Sequence, residues 1–112
     1  MIKNIFITAF LLAALPAFAA QYTSVIEDLP LMPGMTELPD SALVFDKPNG
    51  RIASVSAETA ESRAAVESFY AKTLLPLGWT AAGKNSFTRD GETLKLDFDK
   101  NTVRFTLTPE GD

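Results

Sequence analysis

The clearest pattern of apolar and polar positions lies in the last third of the chain. From residue 92 onward Leu94, Leu96 and Phe98 alternate with Lys95, Asp97 and Asp99, and Val103, Phe105 and Leu107 alternate with Arg104 and Thr106. A period of two marks strands with one covered face and one wet face. Asp90-Gly91 is a strong two-residue hairpin signal. With that pair at the tip, Arg89 faces Glu92 and Phe87 faces Leu94. A second turn at Lys100-Asn101 sets Phe98 against Val103, Leu96 against Phe105 and Leu94 against Leu107, with Asp97 against Arg104 on the opposite face. A slip of one residue would turn every apolar side chain into water, so the spacing predicts this three-stranded meander in one register.

Upstream the period changes. Val66, Phe69, Tyr70, Thr73 and Leu74 recur at helical spacing, with Leu77 beyond them. Arg63, Glu67, Ser68, Ala71 and Lys72 fall mainly on the outer side. Thr59 or Ser62 suits the N-cap. Pro76 disfavours a helical Leu75, Gly78 permits a sharp reversal, and Trp79 opens the next strand. The crowding of "ESFYAKTLLPLGW" is therefore expected to be a helix–turn–strand junction. Before the helix, Leu43 and Phe45 alternate with Val44 and Asp46, Lys47-Pro48-Asn49-Gly50 reads as a turn, and Ile52, Ala53 and Val55 continue an extended run. This predicts a further hairpin.

Residues 20–41 follow neither period. Pro30, Pro33 and Pro39 oppose helix and central strand, yet Leu29, Leu31, Met32, Met35 and Leu38 are apolar. Either this arm lays those side chains on its own domain, or Leu29, Leu31, Met32 and Met35 dock on a partner protein. The whole predicts an α+β fold. One helix packs on a mostly antiparallel sheet in two layers, in the order β-β-α-β-β-β or with one strand fewer, preceded by an extended Pro-rich arm. The expected organisation is a signal peptide over residues 1–19, the arm over 20–41 and a single α+β domain over 42–112.

The leader reads "MIKNIFITAFLLAALPAFAA". Lys3 precedes an apolar run over residues 5–15, and Ala17 and Ala19 fit the small-x-small rule for cleavage after Ala19. The eleven residues of that run reach about 16 Å as a helix, short of a hydrocarbon core of about 30 Å, so no stable membrane anchor is expected after cleavage. Cleavage leaves residues 20–112, with 9 basic and 14 acidic side chains. That acidic balance, without a basic cluster, argues against nucleic acid as a partner.

Composition removes most chemistry. The chain has no cysteine and no histidine. Thiolate nucleophiles, disulfides, thiolate–zinc sites and the commonest general base go with them. The serines have no Ser-x-x-Lys partner, and the glycines are isolated rather than gathered in a phosphate loop. Asp97, Asp99 and Asn101 have the spacing of a calcium loop's start. But Thr102 stands where glycine is needed and Thr108 where a bidentate glutamate is needed. No cofactor and no metal are expected, and no catalytic residue emerges. Phe69, Tyr70 and Trp79 are candidates for lining an apolar ligand pocket between helix and sheet, against the plainer reading that aromatics at helical spacing form core.

The combination of Val66, Phe69-Tyr70, Leu74 and Gly78-Trp79 with a following meander resembles a module of small secreted bacterial proteins and lipoproteins. "LPLMPGM" followed by "VFDKPNGRI" likewise resembles uncharacterised exported proteins, of alphaproteobacterial type. Those motifs are structural and carry no functional residues across. There is no lipobox cysteine, so the resemblance implies a soluble periplasmic protein. Three functions are compatible with these readings: a non-catalytic binding or adaptor module, a carrier of a small apolar ligand, and an enzyme working with carboxylates alone.

Overall fold

The computed structural model describes residues 21–111; the expected leader, with Ala17 and Ala19, lies outside the described residues. Among the described residues seven strands and one helix follow in chain order: β1 (Thr36–Glu37), β2 (Leu43–Lys47), β3 (Gly50–Glu58), α1 (Arg63–Thr73), a 3-10 turn (Leu75–Leu77), β4 (Thr80–Ala81), β5 (Ser86–Arg89), β6 (Glu92–Asp99) and β7 (Thr102–Pro109). All strand pairs are antiparallel and form one sheet ordered β1-β3-β7-β6-β5-β4, with β2 beside β1 on the same edge of β3. The α+β architecture is the expected one, with two short strands, β1 and β4, added at the margins.

The meander stands in the register that the alternation predicts: Phe87 faces Leu94, Leu96 faces Phe105, Phe98 faces Val103 and Asp97 faces Arg104. Asp90 and Gly91 take φ of +50° and +80°, the left-handed pair that a two-residue hairpin turn needs. The β2–β3 hairpin closes with Lys47 opposite Gly50. Gly50 has φ +142°, and a Cβ there would stand 3.0 Å from the Pro109 ring, so both backbone and packing require glycine.

Helix α1 starts at Ser62, whose Oγ accepts the Ala65 N–H at 3.1 Å. It ends at Thr73, and the chain tightens into the 3-10 turn at Leu75–Leu77 before Gly78 reverses it at φ +97°. Glu67, on its outer side, accepts from the Asn85 amide at 2.8 Å and from Arg63 at 3.1 Å, contacts that hold its carboxyl below the usual range. Val66, Tyr70 and Leu74 are buried, and the Tyr70 ring meets Phe105 edge-on at 5.2 Å. The helix and the sheet thus cover one another's apolar faces.

The arm joins the same core. Residues 21–31 fold back on themselves rather than running straight. Leu31 N–H donates to Gln21 at 2.7 Å, Thr23 N–H to Leu29 at 3.0 Å, and Tyr22 bridges Pro30. Ile26, Leu29, Leu31 and Met35 are buried in one cluster with Val55, Tyr70 and Phe105. Polar ties hold the outside of this loop: Arg51 reaches Glu27 at 3.4 Å, Arg89 reaches Asp28 at 3.6 Å, and Glu37 accepts from Ser24 N–H and Oγ.

The expected β2–β3 hairpin is present, and all five residues of β2 are exposed. The strand lies at the sheet's margin, where neither helix nor arm reaches it. Among the described residues no helix is long and apolar enough to cross a membrane.

Candidate functional site

The described surface carries one large apolar depression, a groove of about 870 Å³ between the arm and α1. Its arm wall is made by Tyr22, Met32 and the Pro33-Gly34 turn; its helix wall by Phe69 and Thr73; its end by Pro76 and Leu77. Each wall has a local cause. Phe69 is three residues on from Val66, which sets it at the side of the buried stripe rather than at its centre. Pro76 stops the helix and turns Leu77 outward. Pro33 and Gly34, the latter at φ +85°, turn the arm so that Met35 enters the core while Met32 stays at the surface.

The two walls are fastened by Tyr70. Its hydroxyl donates to the Pro30 carbonyl at 2.8 Å and accepts the Met32 N–H at 3.1 Å, with the Met35 sulfur 3.6 Å away. The ring is fully buried, and that burial pushes the phenol well above its ordinary pKa, only partly offset by the Met32 hydrogen bond. Tyr70 is therefore a neutral fastener at physiological pH. It is not available as an acid or base.

Phe69, Tyr70 and Trp79 do not surround one cavity. Phe69 lines the groove, Tyr70 is core, and Trp79 is 3% exposed and is no part of the groove wall. The Arg89 guanidinium covers the Trp79 ring at 4.4 Å and donates to the Leu77 carbonyl at 2.8 Å. Trp79 Nε1 is buried without a hydrogen-bond partner among the described residues. Of the arm residues singled out for docking, Leu29, Leu31 and Met35 are buried in the protein's own core, and Met32 is half-buried at the groove.

No aspartate, glutamate, lysine or arginine lines the groove, so its field is set by apolar atoms and a few hydroxyl and amide groups from Gln21, Thr36 and Thr73. Such a surface gains by removing apolar area from water and offers nothing to a charged ligand. Asp97 and Asp99 lie elsewhere, along β6, with Asp97 opposite Arg104 rather than around an ion. Tyr22, Thr73 and Leu77 carry no local pattern that marks them as site residues, because the groove is assembled from segments some fifty residues apart. The one local signal was the isolated aromatic Tyr22 ahead of a proline-rich run.

Compared with protein-family models, with curated proteins and with solved structures, the chain finds no match.

Proposed function

We propose that this protein is a non-catalytic binding or adaptor module of the periplasm that holds an apolar segment of a partner protein in the groove between arm and helix. The observation that carries the reading is the charge-free lining around Phe69, Met32, Tyr22 and Leu77. Leu77 and Tyr22 remain 39% and 55% exposed, apolar area that a bound partner segment would remove from water. The groove is open to solvent along one side, which suits a segment laid across it better than a molecule enclosed. The absence of histidine and cysteine supports a role without chemistry.

A second reading, a carrier of a small apolar ligand, is favoured by size. About 870 Å³ falls within the range of small-molecule sites, roughly 300–1,000 Å³. One experiment separates the two. A photo-cross-linking residue at Thr73, in the groove, is expected to capture a protein from a periplasmic extract, while the same residue at Lys95, on the far face of the sheet, is not. Adding Leu77→Asp, which puts a charge at the groove's end on a side chain already 39% exposed, should abolish capture and leave the thermal midpoint nearly unchanged. Labelling only of lipid or other small molecules at Thr73 would favour the carrier. Equal capture from both positions would remove the groove from the function.

A further inference from the structure

The sheet's two margins are built differently. On one side β4 is only two residues long, too short to template another strand. On the other, β1 and β2 share the edge of β3, and between them the chain leaves the ladder. Pro39 has no N–H, Asp40 takes φ +62°, and Ser41 fills the gap. The Ser41 Oγ accepts the Ser56 N–H at 3.0 Å and donates to the Leu38 carbonyl at 2.8 Å. Kinks and prolines of this sort blunt an edge against stray pairing. No such device protects the middle of β2. Leu43, Val44 and Phe45 are 55%, 46% and 56% exposed, and among the described residues β2 pairs only with β3. Its other edge presents N–H and C=O groups that a further strand can satisfy.

We propose that β2 pairs with β2 of a second copy of this chain, antiparallel about a two-fold axis at Val44, so that the two sheets become one. No β2 residue lines the groove, so this inference stands apart from the proposed function. Register is what points to a second copy. A two-fold axis perpendicular to a sheet keeps each side chain on its own face, so some residue must face its own copy. At Asp46 or Lys47 the axis would oppose like charges, which is destabilising. At Phe45 it would set Val44 against Asp46 and Leu43 against Lys47. At Leu43 it would strand Phe45 against Ser41. At Val44 the whole apolar run meets itself: Val44 faces Val44, Leu43 faces Phe45 twice, and Asp46 and Lys47 face the uncharged Ala42 and Ser41. Leu43 and Phe45 share their face with Ser54 and Ile52, so the pairing also gathers Ile52 of each copy at the rim of one apolar cluster.

A pair of five-residue strands buries less than the roughly 1,200–2,000 Å² of a stable interface, so this dimer is weak and forms with rising concentration. After the expected cleavage each copy carries 9 basic and 14 acidic side chains, a formal charge of −5, so added salt tightens it by screening the repulsion.

Sedimentation velocity of the purified protein over a concentration series, at low and high salt, is expected to show a monomer–dimer equilibrium that shifts toward dimer with salt. Val44→Lys brings two ammonium groups to the axis and is expected to weaken the dimer about tenfold or more. The chain has no cysteine, so single cysteines report register independently of that variant. Val44→Cys should form a disulfide dimer under mild oxidation, because facing Cα atoms stand about 4.5–5.5 Å apart, within bridging range. Asp46→Cys should not, because it is offset from its copy by about 13 Å along the strand. A monomer at every concentration, an undiminished dimer in Val44→Lys, or equal cross-linking at positions 44 and 46 would overturn the proposal. So would binding of a foreign extended peptide to β2 while the chain itself stays monomeric.

Discussion

Tyr70 joins sequence positions forty residues apart through one hydroxyl, since Pro30 and Met32 are both its partners. Tyr70→Phe leaves a buried carbonyl and N–H unpaired, and is expected to cost about 1–3 kcal/mol in a denaturant melt. The same residue sets an alkaline limit. Burial raises the folded-state pKa of the phenol. Below the ordinary tyrosine value of about 10, folded and unfolded chains hold the proton alike; above it the unfolded chain releases its proton first, so stability falls as pH climbs past about 10. The decline should be shallower in Tyr70→Phe, and an identical slope in the two proteins would mean that Tyr70 is not the group responsible. Trp79 offers a separate check. Its side chain is buried against Arg89, and Trp79→Ala is expected to destabilise by roughly 3–5 kcal/mol; a loss under about 1 kcal/mol would contradict that burial. Tyr70 is legible as inward-facing from its helical spacing, whereas the burial of Trp79 is decided by the fold. Their partners are not legible, because hydrogen bonds over forty residues, and a guanidinium stacked from a neighbouring strand, leave no trace in local periodicity.

The arm shows at the level of elements what composition leaves open. Three prolines rule out helix and central strand, and they leave unsaid whether the apolar residues between them cover this domain or another protein. In the fold, Ile26, Leu29, Leu31 and Met35 complete the core. Each such burial stabilises by about 1.5–3 kcal/mol, and four together rival the entire stability of a small domain, about 5–15 kcal/mol. Deleting residues 21–35 is therefore expected to abolish cooperative thermal unfolding by circular dichroism, and retention of the parent melting midpoint would show that the arm is dispensable. The meander is the opposite case. Its register was readable because every alternative buries charge, and strands β5, β6 and β7 stand as their alternation requires. For β2 the residues predict the strand and its hairpin, which are present, and say nothing of its burial. A period of two reports that a strand has two faces, and a covering layer has to be present for either face to be buried.

Across the whole molecule, the groove and the bare edge are what the covering layers leave over. One helix of eleven residues and one short arm cannot shield a seven-stranded sheet completely. The arm and helix meet at Tyr70 and diverge around Phe69, which opens the groove; neither extends over β2, which leaves its apolar run in water. The sequence by itself determined the elements with strict periods, the turns that demand left-handed backbone, and the removal of thiol and imidazole chemistry, because each of these follows from residue type and nearest neighbours. Only the tertiary structure decided which apolar residues became core and which became surface. Burial belongs to the space between elements, and segments distant in the chain share that space without any pattern in their own residues to announce it.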